Sequence, residues 1–148
     1  MKDPILKSLK KLNKKEKEDL FFFFISSKEH DFIQIKGKNF KVNEFEMLKT
    51  FIEIGVNVNT RDGFDFTPLF HVKSKEIAEF LIQVGADVNL RNMLNQTPVE
   101  YHSQNGNSDL ADFIEQKALE KVIKLEQKQL NQNLPQSQKK STNSKQHL

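Results

Sequence analysis

The sequence contains no cysteine and no tryptophan. Without cysteine there is no disulfide, no thiolate nucleophile and no Cys-based zinc site, and a reducing compartment suits such a chain. Its five glycines, Gly37, Gly55, Gly63, Gly85 and Gly106, are scattered one to a turn. That excludes a glycine-rich loop able to cradle a phosphate. Long apolar runs are missing too: the longest, residues 20–25, has six members, against the ~20 that a bilayer-spanning helix needs. The run lies behind 19 residues that include Glu16, Glu18 and Asp19, a poor fit to a signal peptide. The expectation is a cytoplasmic protein that neither crosses nor binds a membrane.

Acidic and basic residues are both plentiful, but they are segregated. The formal charge is +3, with +5 carried by residues 1–17 and +3 by residues 131–148, which leaves residues 18–130 at −5. A nucleic-acid binder presents its basic footprint on a folded face. Here the basic residues sit at the ends of an acidic body, so no nucleic-acid partner is expected. At 148 residues the chain is long enough for one domain with a modest core.

One pattern is written twice, 30 residues apart. The first copy reads Gly55-Val56-Asn57-Val58-Asn59-Thr60-Arg61, then Thr67-Pro68-Leu69; the second reads Gly85-Ala86-Asp87-Val88-Asn89-Leu90-Arg91, then Thr97-Pro98-Val99. A fixed period of this kind marks stacked units that bury their apolar faces against each other. Ile77, Phe80, Leu81 and Val84 recur at helical spacing behind Ser74, which predicts an N-capped amphipathic helix. Gly85 then supplies the left-handed position that ends a helix. Thr97-Pro98 restarts one, with Thr as N-cap and Pro where a missing N–H costs nothing.

These residues resemble the ankyrin repeat family, whose units carry a Thr-Pro-Leu-His helix start and a Gly-Ala-Asp-Val-Asn stretch leading into a finger-like turn. Residues 85–89 match the second motif fully and residues 55–59 loosely. The resemblance covers residues 45–115, and three departures accompany it. A 30-residue step against the usual period of about 33 implies a shortened inter-helix connection around residues 71–74. The family's histidine, to which the resemblance assigns a structural hydrogen bond, is replaced by Phe70 and Glu100. The glycine at the finger tip is replaced by Asp65 and Asn95, the types that best tolerate positive φ after Gly.

Around this centre, residues 1–12 read as a basic arm or short amphipathic helix bearing Ile5, Leu6, Leu9 and Leu12. Asn13 and Glu16 have capping-box spacing, as do Asn43 and Glu46. The run 20–25 would cover every side of a helix and must therefore be enclosed by neighbours, with the alternative that one or two Phe stay exposed as an anchor. Residues 32–35 and 40–42 read as a β-hairpin about the loop 36–39. After Asn105-Gly106 a helix bearing Leu110, Phe113 and Ile114 runs on through Ala118, Leu119, Val122, Ile123, Leu125 and Leu130. It is expected to cover the last repeat's open face, with a coiled-coil surface as the alternative. Residues 131–148 are polar and expected to be disordered.

Chemistry is sparse. Of four histidines, His30, His71, His102 and His147, the middle pair sits near the 30-residue offset and could share a groove, although ordinary helix or loop histidines are expected. Asp62 with Asp65, and Glu76 with Glu79, are expected in a turn and on a solvated face. No catalysis, cofactor or metal is expected. The fold expected is an all-α ankyrin-like helical solenoid with β-hairpin fingers, an N-terminal helix plus hairpin and a long C-terminal capping helix. Residues 1–12 form the arm, 13–130 the repeat domain and 131–148 the tail. The function expected is non-catalytic protein binding by a chain that is monomeric when free. The binding residues expected are Arg61, Asp62, Phe64, Asp65, Phe66, Arg91, Asn92, Met93, Leu94 and Asn95. The partner expected is a protein such as a basic toxin or enzyme, neutralised in the manner of an immunity protein. The alternatives are a secreted effector or regulatory adaptor using the same surface and, last, an enzyme.

Overall fold

The computed structural model describes residues 2–26 and 32–134; His30, His147 and the expected tail from 135 onward lie outside them. The described residues are mostly helical, with one small antiparallel hairpin. Helix α1 (Lys2–Lys10) buries Ile5 and Leu9, with Leu12 just beyond it, so the basic arm is a packed helix. Ile5 and Leu6 line a cleft against Met47 and Thr50.

Asn13 opens α2 (Lys14–Ser26) with a complete capping box: its Oδ1 accepts from the Glu16 N–H at 2.9 Å, while Glu16 Oε2 accepts from the Asn13 N–H at 2.7 Å. The Phe-rich run is not enclosed on all sides. Phe21, Phe24 and Ile25 are buried, Leu20 and Phe22 half-buried, and Phe23 exposed. A helix packed along one side presents every third or fourth residue outward, and Phe23 takes that position. Phe21 and Phe24 meet Phe51 with ring centroids 5.7 and 5.8 Å apart. Each fully buried ring contributes about 1.5–3 kcal/mol by leaving water.

Strands β1 (Phe32–Ile35) and β2 (Lys38–Lys41) pair with Ile33 opposite Phe40 and Ile35 opposite Lys38. The expected four-residue loop is a two-residue turn, Lys36-Gly37, with φ of 48° and 77°. Two successive positive φ values match the right-handed twist of the strands, which is why such turns close tight hairpins. Asn43 then caps α3 (Glu44–Glu53) by accepting from the Glu46 N–H at 3.1 Å, and Met47, Leu48 and Phe51 face the core.

Helices α4 (Pro68–His71) and α5 (Lys75–Gln83) form one pair, and α6 (Pro98–Gln104) and α7 (Ser108–Asn133) the next. Helix α4 packs on α2 on one side and α6 on the other; α5 packs on α7. The shortened step arises in the inner helix and not in the connection. Both connections, residues 72–74 and 105–107, have three residues, whereas α4 has 4 residues and α6 has 7.

Three helix ends are built alike. In the first, the Gly55 N–H donates to the Ile52 carbonyl at 3.0 Å and the Val56 N–H to that of Phe51 at 2.9 Å; Gly85/Ala86 and Gly106/Asn107 repeat the arrangement. This double bond needs a left-handed residue after the helix, and the glycines have φ of 87°, 111° and 80°.

Helix α7 does not cap in the way expected. Its 26 residues extend about 39 Å at the usual rise. Only Ala111 and Ile114 are buried, and every residue from Val122 to Leu134 is exposed. Lys121 Nζ, donating to the Ile82 carbonyl at 2.6 Å, is the last anchor to the body among the described residues. Beyond it the helix overhangs, with Val122, Ile123, Leu125 and Leu130 exposed. On the last pair Glu100, Ser103, Gln104, Asp112 and Glu115 are exposed. The helix also continues to Asn133, into the stretch expected to be disordered. No helix among the described residues is long and apolar enough to cross a membrane.

Candidate functional site

Two ten-residue excursions, 57–66 and 87–96, carry all ten predicted site residues. They are turns held by side chains and lack the strand ladder that was expected; the strands among the described residues are β1 and β2 alone. Asp62 Oδ1 accepts from the N–H groups of Phe64 at 2.9 Å and Phe66 at 3.0 Å, and the Asp62 N–H donates to the Phe66 carbonyl at 3.0 Å. Asn92 repeats this with Leu94 and Gln96. The tip residues Asp65 and Asn95 have φ of 60° and 61°, the left-handed conformation that Asn and Asp tolerate best after glycine.

The two turns are joined side by side. Asn59 Nδ2 donates to the Gly85 carbonyl at 3.1 Å while its Oδ1 accepts from the Asp87 N–H at 2.8 Å. Arg61 Nη1 donates to its own turn at the Asp65 carbonyl, 3.1 Å, and across the joint to the Arg91 carbonyl, 2.8 Å. The Met93 N–H points at the Phe64 carbonyl, 3.4 Å away. Arg91, with no following turn, donates to the Asn95 carbonyl and to Glu100 Oε2 at 3.0 Å. The backbone N–H of Thr97, and after it that arginine, hold the Glu100 carboxyl below its ordinary range.

These bonds divide the predicted residues. Asp62, Asn92, Arg61 and Arg91 spend their polar groups inside the turns, and Asn92 is buried. Phe66 belongs to an aromatic cluster, with ring centroids 5.1 Å from Phe70, 5.3 Å from Tyr101 and 5.7 Å from His71. Asp65 and Asn95 shape the tips. What remains outward is Phe64, 68% exposed, with Met93 at 66% and Leu94 at 72%.

His71 and His102 both make contacts within the fold. His102 is buried, its Nε2 2.9 Å from the Leu69 carbonyl; burial lowers its pKa from the ordinary 6.5, against the opposing hydrogen bond to Leu69. His71, close enough to add a small lowering of its own to His102, has its Nε2 2.8 Å from Asp62 Oδ2 and its ring edge-on to Phe22 at 5.3 Å. That pair pins the first turn to the helices beneath it. A groove between α2 and this turn is lined by Lys14, Lys15, Glu18, Asp19, Phe22 and Asp62. Among the described residues no group of three or more His, Cys, Asp or Glu is placed to hold a metal ion. Glu79 pairs with Lys117 at 3.2 Å.

Sequence reasoning missed Asn59. The signal was available: Asn59 and Asn89 stand in register at the 30-residue offset. No protein-family model matches the chain, and no curated protein matches it either.

Proposed function

We propose that this chain is a non-catalytic protein-binding module, a short solenoid of degenerate ankyrin-like units whose turn tips contact the partner. The observation that carries the reading is the trio Phe64, Met93 and Leu94, three large apolar side chains held outward on two bonded turns. Apolar side chains displayed together on a fixed scaffold suit recognition, because little ordering entropy is lost when a partner covers them. The stacked-unit reading is supported by the repeated helix ends at Gly55, Gly85 and Gly106 and by the joint between the turns.

The charge of −5 over residues 18–130 favours a basic partner surface, since opposite fields speed and orient encounter. A basic toxin or enzyme neutralised by coverage is the partner we favour, with cytoplasmic residence in keeping with a chain that has no cysteine.

The test is capture of partners from the native source by the wild-type chain and by a Phe64→Asp, Met93→Asp double variant. Both positions are exposed, so the variant should unfold at the wild-type midpoint to within about 0.5 kcal/mol. A partner retained by the wild type and lost by the variant supports the reading; equal retention by both refutes it.

A further inference from the structure

The joint between the two turns is made by a side chain imitating a backbone. In a parallel β-pair, one residue donates its N–H to the carbonyl of residue i on the neighbouring strand and accepts from the N–H of residue i+2. The Asn59 carboxamide does the same, donating to the Gly85 carbonyl and accepting from the Asp87 N–H. The Phe64 carbonyl adds a third contact, to the Met93 N–H. On its far side the second turn presents the same groups 30 residues on: the Asn89 carboxamide and the Leu94 carbonyl. Both are without a hydrogen bond among the described residues, and Asn89 is exposed.

We propose that this outer edge, Asn89 with the Leu94 carbonyl, reads the main chain of an extended peptide segment of a protein partner. The inference deepens the binding function proposed above and rests on it. The argument is continuity: the edge prolongs an interface already built in this molecule, and its unfilled groups are the ones that interface uses. A carboxamide with both its donor and its acceptor free matches the C=O and N–H that an extended chain shows two residues apart on one edge. A strand added to such an edge draws affinity from main-chain bonds and selectivity from side-chain contacts. Met93 and Leu94, exposed beside the edge, supply an apolar contact for one side chain of the segment. Arg91 Nη1 is already engaged by the Asn95 carbonyl and by Glu100.

The probe is a synthetic peptide copying residues 85–96, whose first three residues are what Asn59 holds in the intact chain. It is titrated into the full, isotope-labelled protein and followed by amide NMR. Shifts are expected at the Asn89 side-chain amide and the Asn95 backbone amide, with millimolar affinity. Both Asn89→Asp, which removes the donor, and a peptide N-methylated at its aspartate should bind about tenfold more weakly. Asn89 makes no side-chain bond, so the variant retains its spectrum elsewhere. No shift at either group, or equal affinity for Asn89→Asp, overturns the proposal. Asn89-dependent self-association of the chain alone also overturns it, by assigning the edge to a second copy. If the partner is lost by the Phe64→Asp, Met93→Asp variant while the peptide fails to bind, the tips stand and only the edge falls. If the peptide binds through Asn89 but no partner depends on the tips, the tip reading fails by itself.

Discussion

Thr67 and Thr97 begin equivalent helices, yet replacing each with valine should move stability in opposite directions. Thr97 Oγ1 accepts from the Glu100 N–H at 3.2 Å, and the Glu100 carboxylate accepts from the Thr97 N–H at 2.8 Å. Removing this cap should cost about 1 kcal/mol, within a range of 0.5–2. At Thr67 the fourth residue is Phe70, which has no carboxylate to return, and the Thr67 hydroxyl is buried without a partner. A buried hydroxyl in that state costs about 1–3 kcal/mol of lost hydration. Thr67→Val keeps the branched shape and removes the stranded oxygen, so it should be neutral or stabilise by about 1 kcal/mol. The two variants should therefore differ by about 1–2 kcal/mol, or several degrees in Tm for a chain of this size. Urea unfolding followed by far-UV circular dichroism measures the difference. Equal losses at the two positions, or a loss at Thr67 larger than at Thr97, would refute the reasoning.

Three further outcomes are expected. His102 has a lowered folded pKa, so the unfolded chain takes up its proton first as pH falls. The stability its neutral form contributes is complete above about pH 6.5 and declines below it toward the folded value; His102→Gln, which keeps a donor for the Leu69 carbonyl, should flatten that decline in unfolding midpoints measured from pH 7.5 to 5. Ending the chain after Lys121 should leave the unfolding midpoint within about 0.5 kcal/mol, because residues 122–134 bury nothing, whereas Lys121→Ala in the full chain should lower it. Asn95→Gly should be tolerated and Asn95→Ala should cost about 1 kcal/mol at its φ of 61°, a contrast that thermal melts resolve.

What could be read beforehand was what neighbouring residues decide. Asn13 with Glu16, Gly55 and Gly85 after their helices, and Asp65 and Asn95 at positive φ each follow from a local backbone requirement that one or two residue types meet. What could not be read depends on chain segments far apart in sequence. Helical periodicity places Leu119, Ile123 and Leu130 on a stripe, but nothing in that spacing says the body ends at Lys121. Arg61 and Arg91 were visible as equivalents, while their engagement with carbonyls became apparent only once two turns stood side by side. Likewise the connection expected to be shortened has three residues, as its counterpart has, and the difference lies in α4, since a one-turn helix and a clipped loop give the same count.

The contact between Arg91 and Glu100 turns a side chain that could bridge into one that closes locally. Arg61 reaches the carbonyl of the turn that follows it; Arg91 meets a carboxylate from its own next helix. The position that holds Phe70 after the first turn holds Glu100 after the second, and with it the arginine changes from bridging two turns to closing on its own. Joining and self-closure are thus decided by which partner the following helix offers to the arginine, and Glu100→Phe would leave Arg91 with only its own turn's Asn95 carbonyl.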